Sequence, residues 1–384
     1  MSNNNEQAIA LHKKLQGKIE VTPKTPVLSR EDLALVYTPG VGAVCSGIAD
    51  GSLDVYDVTM KANTVAVITD GSAILGLGNI GPEAGLPVME GKAMLFKQLG
   101  GVNAVPICLK TNSKEETIAC IRAMAPAFGG INLEDIAAPD CFDIEDALQD
   151  LGIPVFHDDQ HATAIVVYAG LINALKVTQK KDPITIVING AGAAGIAIAR
   201  LLARAPREYA LPIRDIFVCD SKGIISPDRT DLTAVKKDVL QYTNAAQKSG
   251  SLADALMDAD VFIGVSVAEA LTGDIVRTMN TGPIIFAMAN PVPEIYPQEA
   301  YDAGASVVAT GRSDFANQIN NVVAFPGIFK AALHYRYARI TDEMKYVCAQ
   351  ALADYVTSPT KDEIIPSALD PHIPDVIVKS LQGL

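Results

Sequence analysis

Two kinds of residue cluster in this chain have the types and spacing to do chemistry together. Gly190-Ala191-Gly192-Ala193-Ala194-Gly195 carries the G-x-G-x-x-G spacing, and upstream lie two carboxylate pairs, Glu134-Asp135 and Asp158-Asp159. In a dinucleotide loop the first glycine allows the tight turn, the second lets backbone approach a pyrophosphate, and the third lets helix pack close on strand. Gly190, Gly192 and Gly195 fill those positions. Ala193 and Ala194 follow where a helix would begin, its free N–H groups and partial positive charge facing the phosphates. Adjacent aspartates repel each other, and a hard cation such as Mg²⁺ or Mn²⁺ relieves that through carboxylate, water and substrate oxygens. Loop and acids together point to hydride transfer to a nicotinamide beside a divalent metal. That pairing predicts oxidation of a hydroxy acid whose product needs a Lewis acid for a second step.

Each cluster has a plainer reading. A glycine loop joins strand to helix in many proteins. Glu134-Asp135 follow Asn132, an eligible helix N-cap, and so read equally as first-turn carboxylates of a helix. Asp158-Asp159 precede a helical pattern, where a single aspartate is a common cap. His157 and His161 flank that pair, but their spacing matches no zinc motif.

The elements that must position these residues divide the chain. From residue 183 strands and helices alternate: 184–189, 216–219, 261–265, 284–287 and 307–309 read as strands, and 194–203 as the helix after the glycine loop. Five strands with helical spacers predict a doubly wound parallel sheet of Rossmann type. The second strand ends at Asp220, placed to accept hydrogen bonds from a ribose diol, which argues for NAD; Lys222, two residues on, keeps NADP as the alternative. Upstream, 64–69, 104–109, 131–136 and 153–157 read as strands or strand ends, and 6–15, 90–99, 114–125 and 161–176 as helices, with a short helix opening at Ser29. The prediction is α/β throughout: an N-terminal substrate and metal domain over 1–160, a Rossmann-type NAD(P) domain over 161–330 and a helical tail over 331–384, interrupted by prolines.

Bulk properties limit the partners. At 384 residues with 49% hydrophobic and 20% charged composition, the chain reads as an ordinary two-domain globular protein. A formal net charge of −13 without a basic stripe argues against nucleic acid and anionic membranes. The longest near-apolar stretch, 162–175, is too short to span a bilayer, and residues 1–6 lack the regions of a signal peptide. Six cysteines without C-x-x-C predict neither a disulfide framework nor a zinc knuckle. These readings predict a cytoplasmic protein acting on a small molecule, with a homodimer as the expected assembly.

Further blocks give the chain a resemblance. Tyr37-Thr38-Pro39-Gly40-Val41-Gly42, Thr69-Asp70-Gly71-Ser72, Gly76-Leu77-Gly78-Asn79-Ile80-Gly81 and Glu90-Gly91-Lys92 resemble the N-terminal blocks of malic enzymes. Leu133-Glu134-Asp135, Phe156-His157-Asp158-Asp159, Ala289-Asn290-Pro291 and residues 320–327 continue the match in family order, over about 20–335. The resemblance implies metal-dependent oxidative decarboxylation of (S)-malate to pyruvate and CO₂ with reduction of NAD or NADP. It implies Lys92 as general base, Tyr37 as general acid, Asp158 as a supporting carboxylate, and Glu134, Asp135 and Asp159 as metal ligands. Asn290 and Asn321 would hold malate oxygens, with Asn290 also beside the cofactor. Longer members carry an arginine after Asp-Gly-Ser where this chain has Ala73, so the loop around Ser72 and Gly78 is expected to help bind the substrate carboxylate. In the expected homodimer the segment to about Pro39 is the element expected to be exchanged, which would put Tyr37 near the partner's site.

Overall fold

A computed structural model describes the chain from residue 2 to residue 384, so Met1, part of the segment read for a leader, lies outside it. The amphipathic N-terminal helix α1 (Ser2–Leu15) leads to α2 (Arg30–Val36) and α3 (Val41–Asp50). The Ser29 hydroxyl accepts the Asp32 N–H while the Asp32 carboxylate accepts the Ser29 N–H, a reciprocal cap that starts α2 where the sequence places it. No residue of α2 is buried, and only Gly47 of α3 is.

Two sheets follow. The first comprises β1 (Thr64–Thr69), β2 (Asn103–Cys108), β3 (Gly130–Leu133) and β4 (Val155–His157), all parallel, in the order β2-β1-β3-β4. The second comprises β5 (Ile184–Asn189), β6 (Ile213–Asp220), the short antiparallel β7 (Gly223–Ile224), β8 (Val261–Gly264), β9 (Ile284–Ala287) and β10 (Val307–Thr310). Its order, β10-β9-β8-β5-β6-β7, reverses direction between β5 and β8, and the first sheet reverses between β1 and β3. In open parallel sheets the crevice for ligands opens at such a reversal, beyond the carboxyl ends of the strands.

Helices cover both sheets. α4 (Pro82–Gly100) is longer than the expected 90–99. Gly85 and Pro87 look like breakers, yet the helix runs through both, and a Cβ at Gly85 would come within 2.7 Å of Ile74. α5 (Asp140–Ala147) precedes β4, and α6 (Asp158–Thr178) starts three residues before the expected 161. Although α6 is long and apolar enough to cross a bilayer, it is the central helix of the core. Each fully buried aliphatic side chain on it contributes about 1.5–3 kcal/mol. After α7 (Ala193–Ala203), the tail forms α8 (Phe325–His334), α9 (Asp342–Tyr355) and α10 (Ile373–Ser380). α8 packs against α4 of the first sheet, α9 against α6, and one continuous core joins both sheets.

Candidate active site

The acidic pairs belong to strand ends. No helix opens at Glu134-Asp135: Asn132 lies inside β3 and its side-chain amide donates to Glu134 Oε2 at 2.9 Å instead of capping a helix. Asp135 holds φ +52°, a left-handed conformation that aspartate tolerates better than most residues. Its N–H donates to Asp159 Oδ2 at 2.9 Å and its carbonyl accepts the Ala73 N–H at 3.0 Å. Asp158 and Asp159 open α6, where the helix N-terminus favours negative charge.

Lys92 projects from α4 into this cluster and is about nine-tenths buried. Its Nζ lies 2.6 Å from Asp158 Oδ2 and 2.9 Å from Glu134 Oε1, with the Phe325 ring centroid 4.1 Å away. Asn321 donates to the same Asp158 oxygen. Burial alone would lower the Lys92 pKa, but the charges of Asp158 and Glu134 outweigh it and raise it. Lys92 is therefore an ammonium at rest, whereas a general base has to be neutral when it acts. One ammonium does not neutralise four acids. Burial raises the Glu134 and Asp158 carboxyls despite Lys92, and burial together with the charge of Asp159 lifts Asp135 to about 7. Asp135 Oδ2 and Asp158 Oδ1 are buried without hydrogen-bond partners.

This cluster faces the glycine loop across one cleft of about 920 Å³, lined by Lys92, Glu134, Asp135 and Asp159 on one side and Gly192, Ala193 and Ala194 on the other, with Asn290 and Asn321 at its edge. Gly190, at φ +124°, and Gly195 act as the spacing requires: a Cβ on Gly195 would sit 1.7 Å from the Gly190 carbonyl oxygen. A buried carboxylate that sequence reasoning missed, Glu294, accepts the N–H groups of Ser266 at 3.1 Å and Ala289 at 2.9 Å. It thereby fixes the two loops beside Asn290. Glu145, also missed, does the same for α6: it accepts the His157 N–H at 2.8 Å, Gln160 at 3.1 Å and His161 at 2.9 Å. Neither sits in a motif, and only the fold reveals them.

Three expected residues are arranged differently. Ser72 does not line the cleft: its hydroxyl bonds Asp70 and accepts the Ala137 N–H at 2.9 Å, and its N–H is taken by Asp70 at 2.9 Å. Tyr37 lies on the exposed α2–α3 arm, outside the cleft lining, with 66% of its surface accessible. Asp220 is not a free acceptor. Arg229 clamps it at 2.8 and 3.0 Å, Lys236 approaches to 2.6 Å, and the Lys222 N–H donates at 2.9 Å. Burial would raise this carboxyl, but these partners hold it at about 2.

A doubly wound dinucleotide sheet facing a buried lysine–carboxylate cluster defines a pyridine-nucleotide-dependent oxidoreductase. The chain matches the models "Malic enzyme, N-terminal domain" over residues 16–149 and "Malic enzyme, NAD binding domain" over 160–377, and it belongs to the malic enzyme family. It is 53% identical to the bifunctional malic/malolactic enzyme of Bacillus subtilis, over 98% of this chain and 92% of that one. It is 52% identical to the NAD-dependent malic enzyme of Geobacillus stearothermophilus, over 93% and 74%. The crystal structure of NAD-dependent malic enzyme from Thermotoga maritima superposes with a TM-score of 0.92 at 44% identity, covering 98% of this chain and 99% of that one.

Proposed function

We propose that this chain catalyses the oxidative decarboxylation of (S)-malate to pyruvate and CO₂ with reduction of NAD or NADP. The observation that carries the reading is Lys92, held between Asp158 and Glu134 and facing the glycine loop across one cleft. Lys92 is the group to take the C2 hydroxyl proton as hydride leaves for the nicotinamide, and Asp158 orients and supports it. Asn290 and Asn321 supply neutral polar contacts for malate oxygens. The neutral Lys92 amine is the form that takes that proton.

The donor set suits a divalent metal in its chemistry. Glu134, Asp135 and Asp159 offer only hard oxygens, Asp135 Oδ2 is buried and unpartnered, and the acids outnumber the one ammonium that faces them. Among the described residues, however, no three acidic, histidine or cysteine side chains already converge as a closed ligand set. Mg²⁺ or Mn²⁺, held by these three residues, would supply the Lewis acidity that stabilises the enolate left by departing CO₂.

Tyr37 remains the proton donor to C3 in this reading, from a second copy of the chain. Leu28, Leu35 and Val36 around it are exposed, an apolar arm that a symmetric dimer would cover. The functional division we retain is catalytic residues over 1–160, cofactor over 161–330 and helical tail over 331–384, although those divisions fall inside α6 and α8. A cytoplasmic setting with no nucleic-acid or membrane partner accords with the net charge of −13.

The test is nicotinamide reduction with (S)-malate and Mn²⁺, using NAD and then NADP, with and without EDTA, assaying pyruvate and lactate at the end. EDTA-sensitive reduction with equimolar pyruvate is expected. EDTA-insensitive reduction without pyruvate would instead assign a non-decarboxylating dehydrogenase, and cofactor binding without turnover a nucleotide sensor.

A further inference from the structure

The cationic side chains lining the cleft are Lys18 and Lys92, and they stand in opposite conditions. Lys92 is held by two carboxylates. Lys18 makes no carboxylate ion pair among the described residues: its ammonium donates to the Pro87 carbonyl at 2.6 Å. The nearby Glu90 carboxylate instead accepts the Lys18 backbone N–H at 3.2 Å. The ammonium also lies beside Gly91, 3.4 Å from where a Cβ there would sit, an ordinary contact distance. Lys18 thus lies over the stretch of α4 that carries Lys92, at the same cleft.

Charge balance gives that ammonium a task. Glu134, Asp135 and Asp159 line the cleft as the residues that would hold a divalent metal, and the charge of Lys92 is already engaged, so Lys18 is the other side-chain cation of the lining available to a dianionic substrate. An ammonium has three donors, and the Pro87 carbonyl uses one. Partial burial lowers the Lys18 pKa although the Glu90 charge partly opposes it, and a bound anion would offset the rest of that cost.

We propose that Lys18 binds one of the two carboxylates of the hydroxy diacid and makes the cleft select a dicarboxylate over a monocarboxylate. This rests on the malate reading above. The test compares wild type, Lys18→Met and Lys18→Arg with malate, and with the two malate monomethyl esters as competitive inhibitors. In Lys18→Met, KM for malate is expected to rise about 10- to 100-fold, the weight of one hydrogen-bonded charge pair, with kcat within about threefold and NAD affinity unchanged. Lys18→Arg should recover most of the loss. In wild type one ester should bind more weakly than malate, and in Lys18→Met that difference should collapse, which also identifies the carboxylate.

A KM within about twofold of wild type, or equal weakening of malate and both esters, would overturn the assignment; the latter marks a lysine that only anchors its turn to α4. Wild type that fails to oxidise malate would overturn the parent reading instead. Calorimetric titration of malate into wild type and Lys18→Met then decides Lys18, with equal affinities counting against it.

Discussion

The two parallel sheets meet at one cleft and build their sides of it from different material. The second sheet uses backbone: its glycine loop is shaped by missing side chains, and a Cβ on Gly195 or Gly190 would fall 1.7 or 2.5 Å from a carbonyl oxygen. The first sheet uses charge: Lys92, Glu134, Asp135 and Asp158 arrive from one helix and two strand ends, buried and incompletely paired. A backbone site binds a constant ligand, a pyrophosphate, with little need for tuning. A buried-charge site is unstable by itself, and that instability makes its groups sensitive to a proton, a metal or a substrate. The two sides should therefore fail differently.

The largest expected effect is on the charged side. Lys92→Ala should lower kcat by about 10²–10⁴ while leaving NAD affinity within about twofold, measured by steady-state kinetics and nucleotide fluorescence. Near-normal turnover would remove Lys92 from its role. Glu145 comes next. Burial alone would raise its carboxyl, but His161 and the hydrogen bonds around it hold it at about 2, below the ordinary 4.5. A depressed acid contributes stability that is fully present above its unfolded pKa and is lost as pH falls through its folded one. Glu145→Gln should thus destabilise the fold, and the gap in urea midpoint should narrow as pH drops below 4.5 towards 2. A gap independent of pH would mean that the Gln fails by shape and not by charge.

The same contrast explains what the sequence made legible. The backbone side could be read from spacing, because three glycines, a β-branched strand and a following helix are contiguous, and β5 spans the residues expected of it. The charged side could be located only in pieces. Lys92 and Asp158 are 66 residues apart, and nothing local in α4 marks Lys92 as buried. The family resemblance brought them together where spacing did not. The plainer local reading of Asn132 as a cap gives way to its contact with Glu134, and α4 begins eight residues before the 90–99 expected of it. The Ser72 hydroxyl braces a loop by accepting the Ala137 N–H, a bond that no motif reports. Glu145, Glu294 and the Arg229–Lys236 clamp were invisible because their partners lie on other elements.

On the backbone side, Gly195→Ala should weaken NAD and NADP alike by about 10- to 100-fold, since the added methyl drives the loop from the Gly190 carbonyl. Lys92 chemistry at saturating cofactor should survive. If kcat fell as far as in Lys92→Ala, the two sides would not be separable and the contrast would break.

The smallest effect sharpens the contrast at the place where the backbone side does use charge. An unpaired Asp220 would repel a 2′-phosphate and enforce NAD. Here Arg229 and Lys236 pair with it, Arg229 and Lys222 also pair with Asp231, and three cations face two acids around the end of β6. Discrimination against NADP should accordingly be weak in wild type. Lys236→Met would leave Asp220 with fewer cations and should shift the ratio of kcat/KM for NAD over NADP upward by about tenfold. Asp220→Ala would free Lys236 for a phosphate and leave Arg229 with Asp231 alone, and should shift it downward by a similar factor. Both variants keep the glycine loop and Lys92, so kcat at saturation should barely change. If the two moved the ratio in the same direction, Asp220 and its cations would be serving the fold of the β6–β7 corner and not the choice of cofactor.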